Sequence, residues 1–209
     1  MVRKTFLLHD ECISYYPNPG LDPHSSCLLA HRIPPPEGTL KLNIQGSFLE
    51  NFGCFGAGGV VRNHDGDWIT GFFHYEVGGN VLLAELRAIQ IGLDFCRAKG
   101  YVNIICESDC LEAVDLIIDG HGHTLHIYAT DILHIRDVLH ENGSTTLVHV
   151  LREQNMCANF MVKEGSHARC SAHWNCPPPD MESLILRDKL ETKFLTLSLF
   201  SFSFCLNTL

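Results

Sequence analysis

Residues 55–75 read FGAGGVVRNHDGDWITGFFHY, two apolar runs joined by a short polar segment. This segment contains Asp65 and Gly66, and an Asp-Gly pair between two such runs is a strong signal for a hairpin turn. Just before it, residues 40–45 alternate apolar and polar side chains, which is typical of a half-buried strand. The sequence from residue 39 to 75 therefore predicts three antiparallel strands that follow one another along the chain.

The hydrophobic period changes to that of a helix after this hairpin. Apolar residues at helical spacing predict a helix between Asn80, as the N-cap, and Gly100, as the C-cap. The remaining pattern predicts, in order, a strand at 102–106, helices at 110–118 and 127–140, a strand at 145–151 and a helix at 155–164. The order β-β-β-α-β-α-α-β-α indicates an α/β domain built on one mixed sheet.

The two ends of the chain lack the patterns of the domain, which we place at residues 39–190. Residues 1–38 show no sustained period and close on Pro-Pro-Pro-Glu-Gly, so we expect a disordered extension with an extended linker. Residues 191–209 carry no charge from residue 194 onward and are too short and too rich in hydroxyl groups for a membrane helix. We expect this tail to lie outside the domain.

Length and charge narrow the class of protein. The chain has 209 residues, 45% of them hydrophobic, which is enough for one domain with a real core. Its 15 basic and 24 acidic residues give a net charge of −9. This balance argues against a protein that coats DNA by neutralising phosphates, although it leaves room for a local basic groove.

The ten cysteines do not form a recognisable disulfide framework. They are scattered along the chain, and none belongs to a C-x-x-C pair. Residues 1–8 contain too few apolar side chains for the core of a signal peptide. We therefore expect reduced thiols in an intracellular protein of the nucleus or cytoplasm, without membrane attachment.

Two carboxylates are candidate functional residues, and each has a structural alternative. Glu85 lies within the apolar stripe of the first helix, where a carboxylate is either solvated at the rim, paired, or bound to a metal. Asp109 ends a strand and opens a helix, with Glu112 three residues later. This is also the spacing of a capping box, so Asp109 could serve only as an N-cap.

A possible zinc site follows the last predicted helix. His167, Cys170, His173 and Cys176 recur at every third residue. Structural zinc sites use two close pairs of ligands separated by a longer loop, which this even ladder does not provide. We expect no zinc.

Several short motifs, taken together and in this order, resemble the plant retroelement-type ribonuclease H-like domain, the ribonuclease H family associated with reverse transcriptases. The motifs, which span about residues 40–190, are PPPEGTLKLNIQGS (34–47), GAGGVVR (56–62), LLAELRA (82–88), ESD (107–109), REQNMCAN (152–159) and PPP (177–179). The resemblance implies a five-stranded mixed sheet, three antiparallel strands first, flanked by helices. It also implies endonucleolytic cleavage of the RNA strand in RNA–DNA hybrids.

The family's chemistry uses four carboxylates around two magnesium or manganese ions, which activate the attacking water and stabilise the leaving oxygen. By position, the resemblance places these ligands at Gln45, Glu85, Asp109 and Asn159. Glu85 and Asp109 are therefore the expected catalytic and metal-binding residues. The other two positions are amides, which can ligate a metal but bring no charge to balance it. We expect catalysis to be weak or lost.

The resemblance further implies a nucleic-acid partner, either an RNA–DNA hybrid or a duplex like double-stranded RNA. We place Arg62, Arg87 and Arg152 near the binding groove, with solvated surface roles as the alternative for each. Two other functions remain open. The chain could be a non-catalytic module that binds nucleic acid in the same groove, or a retroelement-derived remnant without a selected function.

Overall fold

The structure is a computed structural model that describes residues 35–119, 126–141 and 144–189. The chain divides into residues 1–31 and residues 32–209, and the description concerns the second part. The predictions made for residues 1–34 and 191–209 fall on segments outside the described residues.

Six strands and five α-helices are the main elements of the described part of the chain. The strands are β1 (Leu40–Leu49), β2 (Cys54–Arg62), β3 (Trp68–Val77), β4 (Ile104–Ser108), β5 (Thr146–His149) and β6 (Ala172–Trp174). The helices are α1 (Val81–Ala98), α2 (Leu111–Ile118), α3 (Ala129–Glu141), α4 (Met156–Ala168) and α5 (182–189). No described helix is long and apolar enough to cross a membrane.

The strands form one mixed sheet in the order β5-β4-β1-β2-β3-β6. The first three strands are antiparallel, and β4 and β5 lie parallel on the other side of β1. The predicted mixed α/β sheet is confirmed, with six strands in place of five. The additional strand, β6, pairs antiparallel with the edge of β3. It has three residues, which is too short to show a hydrophobic period in the sequence.

Local signals explain where the first elements begin and end. In the turn between β2 and β3, the Asn63 side chain accepts hydrogen bonds from the backbone N–H groups of Asp65 and Asp67, and Gly66 has a φ of 76°. Asn80 caps α1 by accepting a bond of 2.9 Å from the N–H of Leu83. These bonds satisfy backbone donors that would otherwise lack partners, so the predicted turn and N-cap are both present.

The core lies on both faces of the sheet. On one face, α1 and α2 pack on the sheet and α3 packs on these two helices, through fully or nearly fully buried residues such as Leu42, Ile89 and Ile135. On the other face, α4 packs on β2 and β3 through Met161, and α5 joins the same cluster through Ile185. The two layers place one end of β1 and β4 between α1 and α4, where the candidate site lies.

Candidate functional site

The site forms where two parallel strands end side by side. Ile44 of β1 pairs with Ser108 of β4 at the last step of their shared ladder. The next residues, Gln45 and Asp109, therefore emerge from neighbouring strands at the same end of the sheet. The resemblance places its first and third metal ligands at these two residues.

Glu85 is brought to Gln45 by a close approach of α1 to β1. Its Oε2 accepts a hydrogen bond of 2.9 Å from the backbone N–H of Gly46, and its Oε1 accepts one of 3.2 Å from Nε2 of Gln45. A Cβ at residue 46 would lie 2.3 Å from the carbonyl carbon and oxygen of Ala84, so the approach requires glycine. Of the alternatives open from the sequence, Glu85 is buried and paired rather than solvated at the rim.

Asp109 is held by an asparagine that the sequence did not single out. The Nδ2 of Asn155, just before α4, donates to Oδ1 of Asp109 at 3.0 Å and to the backbone oxygen of Ile44 at 2.7 Å. The same nitrogen lies 3.5 Å from Oε1 of Gln45. The backbone carbonyl of Ile44 can only accept a hydrogen bond, so the side-chain nitrogen of Asn155 must be the donor there. The same nitrogen therefore also faces the carboxylate of Asp109.

Asp109 does not cap the helix that follows it. The N-cap of α2 is Cys110, whose side chain makes no capping hydrogen bond. The capping-box alternative is therefore not what the structure has. Asp109 is half-buried and its side chain is directed to the start of α4, where Asn155 binds it.

The fourth position of the resemblance, Asn159, lies one helical turn beyond Asn155 and is half-buried. The structure thus joins Gln45, Glu85 and Asp109 through side-chain hydrogen bonds, with Asn155 in direct contact and Asn159 further along α4. One sequence signal could have identified Asn155, since it is a polar residue at the predicted start of the last helix. The pattern by itself indicates only that a helix begins there.

Burial dominates the electrostatics of the site. It raises the pKa of Glu85 to about 7, the N–H of Gly46 opposes this rise, and the negative charge of Asp109 adds to it. Gln45 and the positive charge of Arg152 also lower the pKa. Near neutral pH, Glu85 is therefore divided between its charged and neutral forms.

The residues of the site do not fit a pair of magnesium or manganese ions. Within residues 35–119, 126–141 and 144–189, no group of three or more His, Cys, Asp or Glu side chains is arranged to hold a metal. Both oxygens of Glu85 and one oxygen of Asp109 already accept hydrogen bonds from the protein. Magnesium needs oxygen ligands in near-octahedral geometry, and the amides here present their N–H groups to the carboxylates. The ladder of His167, Cys170, His173 and Cys176 likewise forms no such group.

The three predicted groove arginines have different environments. Arg62 is 3% exposed and is bound to Asp188 and Asn43 inside the fold, so its prediction as a groove residue is corrected. Arg87 is half-buried and forms ion pairs on the surface of α1. Arg152 is exposed, and its charge acts on Glu85. Of the three, Arg152 is the residue that combines exposure with proximity to the site.

Comparison with known families now adds to this geometry. The model of the family described as "Reverse transcriptase-like" matches residues 43–165, which is more than half of the chain. The chain belongs to this family. The match begins in β1 and ends within α4. It therefore covers all or most of the four elements that build the site, which are β1, α1, β4 and α4.

Relatives agree with this assignment. The curated Arabidopsis thaliana protein "Putative ribonuclease H protein" is 27% identical over 159 residues, which cover 76% of this chain. The matched segment spans only 26% of that relative, so the chain corresponds to about a quarter of it.

Solved structures show the fold. Ribonuclease H1 from the archaeon Halobacterium salinarum aligns with a TM-score of 0.58 at 17% identity, over 62% of this chain and 98% of that one. LC11-ribonuclease H1, solved in complex with an RNA/DNA hybrid, aligns with a TM-score of 0.55 at 18% identity, over 60% and 95% of the two chains. The domain of this reverse transcriptase-like protein therefore has a ribonuclease H-like fold.

Proposed function

We propose that this domain binds a nucleic-acid duplex, either an RNA–DNA hybrid or a duplex like double-stranded RNA, and cleaves it weakly or not at all. The observation that carries the proposal is the hydrogen-bonded state of the two carboxylates. Amide groups of Gln45 and Asn155 donate to Glu85 and Asp109. Hydrogen bonds from neutral amides stabilise the two carboxylates without a cation, and they leave the charges in place.

Charge balance supports the second half of the proposal. Two divalent ions would bring four positive charges, while Glu85 and Asp109 bring at most two negative ones. The pKa of about 7 for Glu85 lowers this number further near neutral pH. Stabilisation of the developing charge in phosphodiester hydrolysis depends on groups held in fixed positions. An amide pair that already binds both carboxylates does not supply such groups.

The family supports the first half. One structural neighbour, LC11-ribonuclease H1, was solved with an RNA/DNA hybrid, which makes the same class of duplex the first ligand to test here. Arg152 is exposed at the site and is the residue we assign to a phosphate contact. Recognition would rest on the backbone and the shape of the minor groove, so we expect little base preference and a strong dependence on salt.

Fluorescence anisotropy with a labelled RNA–DNA hybrid tests binding. We expect the full-length protein to bind at low salt and to lose affinity steeply as salt is raised. Arg152→Ala should weaken binding and reduce the slope of log K against log salt by about one. Arg97→Ala is the matched control, because Arg97 is exposed in the last turn of α1 while Glu85 lies in its first turns.

Three results would contradict the proposal. If binding were constant between low and moderate salt, phosphate contacts would not be its source. If no duplex bound at any salt concentration, the remnant interpretation would be preferred. Rapid cleavage of the hybrid that Asp109→Asn abolished would instead identify the chain as a ribonuclease.

A further inference from the structure

A segment beyond the family match returns across the sheet. The match ends at residue 165, and residues 172–189, which we call the C-terminal strap, contain β6 and α5. The strap begins on the edge of β3, where Thr70 Oγ1 donates to the backbone oxygen of Trp174 at 3.0 Å. It continues over the face that α4 covers, where Met181 is fully buried and Ile185 is 8% exposed. Residues so deeply buried belong to the core rather than to a loose tail.

The strap also supplies a buried charge. Asp188 lies in α5, is 4% exposed, and accepts a hydrogen bond of 2.7 Å from Nη1 of Arg62. Arg62, on β2, is 3% exposed, so both charges of this pair are removed from water. Removing one partner from such a pair is strongly destabilising, because the other charge remains buried.

The pair is one end of a chain of buried polar contacts. Arg62 Nη2 donates to Oδ1 of Asn43 at 2.7 Å, and Asn43 Nδ2 donates to Oε2 of Glu107 at 2.7 Å. Lys41 Nζ lies 2.6 Å from the other oxygen of Glu107. The charged members of the chain are the cations Arg62 and Lys41 and the anions Asp188 and Glu107. This chain of contacts joins α5 to β2, β1 and β4 in turn.

Two of the strands in this chain, β1 and β4, continue directly into the candidate site. Asn43 precedes Gln45 by two residues on β1, and Glu107 precedes Asp109 by two residues on β4. Because side chains alternate along a strand, residues two apart share a face. The hydrogen bond between Asn43 and Glu107 therefore links β1 to β4 just before the site residues.

Asp188 also contacts α4, a third element that carries residues of the site. The thiol of Cys157 donates to Oδ2 of Asp188 at 3.3 Å, and Cys157 lies in the first turn of α4. It follows Asn155, the residue that binds Asp109, by two positions. A second contact, the ion pair of Lys189 with Asp67, ties the end of the strap to the hairpin turn.

We infer that the C-terminal strap is an integral part of this domain, and that Asp188 is a positioning residue that holds β1, β4 and the start of α4 in the arrangement of the candidate site. The segment that matches the family, residues 43–165, lacks the carboxylate that compensates Arg62. The inference goes beyond the proposed function and does not depend on it, because its measurements are made without nucleic acid.

Thermal unfolding of the full chain tests the role of the charge. Asp188→Asn should lower the unfolding midpoint by roughly 6 °C or more, because it leaves Arg62 buried without its carboxylate. Asp180→Asn is the matched control, since Asp180 is an exposed acid of the same strap and should change the midpoint little. Equal midpoints for the two variants would overturn the inference.

A double variant keeps the test decisive even if Asp188→Asn does not fold. Arg62→Met removes the buried cation, so Arg62→Met with Asp188→Asn should be more stable than either single change. A double variant that is less stable than both singles would show that Asp188 does not act through Arg62.

Positioning has its own readout. The side-chain amide signals of Asn155 and Gln45 in a nitrogen–proton NMR spectrum report the hydrogen bonds of the site. We expect both signals to move in Asp188→Asn and also in the double variant, because both lack the contacts of this carboxylate with Arg62 and Cys157, while Asp180→Asn leaves them in place. If Asp188→Asn folded with both signals unchanged, Asp188 would stabilise the fold without positioning the site.

Discussion

Glu85 should make the stability of the domain depend on pH, and its replacement by glutamine tests this directly. Glu85 is 7% exposed, and burial raises its pKa from 4.5 to about 7. The hydrogen bond from Gly46 opposes the rise, and the charge of Asp109 adds to it. In the unfolded chain the carboxyl group has its ordinary pKa. Between these two values the folded state therefore binds more protons than the unfolded state.

The two pKa values, 4.5 and about 7, differ by about 2.5, which corresponds to on the order of 3 kcal/mol of unfolding free energy. Because the folded state has the higher pKa, this stability is fully present below the unfolded pKa and is lost as the pH rises through about 7. Glu85→Gln keeps an acceptor for the N–H of Gly46 and does not titrate. Relative to the wild type, the variant should therefore gain on the order of 3 kcal/mol between about pH 4 and about pH 8.

Urea denaturation followed by circular dichroism, repeated from about pH 4 to about pH 8, measures this difference. Glu112→Gln, on the exposed surface of α2, controls for the loss of one negative charge. A difference between wild type and Glu85→Gln that stayed constant over the whole range would refute the reasoning. A wild type that gained stability relative to the variant as the pH rose would refute it more strongly.

Two further predictions concern packing and thiol chemistry. Gly46→Ala should lower the unfolding free energy by about 3 kcal/mol, since its Cβ would meet the main chain of α1, whereas Gly53→Ala has open space around the added carbon and should cost only about 1 kcal/mol, the penalty of a side chain at a φ of 56°. Urea denaturation gives the order of the two, and the reverse order would contradict the close approach of α1 to β1. A thiol reagent in excess should label the exposed Cys170 and Cys176 much faster than Cys157, because burial raises the pKa of Cys157 to about 12. Mass spectrometry of peptides at early times gives the rates, and equal labelling of all three would contradict the packing of α4.

The elements with local signals could be predicted from the sequence. The turn between β2 and β3 and the start of α1 are fixed by Asn63 and Asn80, whose side chains bond backbone groups at most four residues away. Contacts of this kind can be predicted from a short window of the sequence, because both partners lie within it. Gly46 belongs to the motif at residues 34–47, but the sequence does not show why a glycine is needed there. The structure shows that α1 approaches β1 too closely for a Cβ at this position.

The misassigned and missed residues depend on partners far away in the sequence. Arg62 ends a strand and looked like a surface cation, yet its carboxylate partner, Asp188, lies 126 positions later. Asn155 binds Asp109 across 46 positions. β6 has three residues, and a tertiary contact with the edge of β3 rather than a local period holds it. No pattern within a short window carries this information.

We propose that the site lacks the charges needed to cleave a duplex. The rate at which an RNA–DNA hybrid with a labelled RNA strand is cleaved, in magnesium or manganese, measures this. The comparison is between the wild type, each of Gln45→Asp and Asn159→Asp, the double variant, and a relative with four carboxylates. Each 1.36 kcal/mol of lost transition-state stabilisation slows the reaction about tenfold, so the loss of even one charged ligand is measurable.

We predict that the wild type cleaves far more slowly than the four-carboxylate relative. Each single substitution should recover little, because the groups of one site act as a unit, and the double variant should recover much more. Robust metal-dependent cleavage by the unmodified protein, abolished by Asp109→Asn, would contradict the account and show that Glu85 and Asp109 suffice.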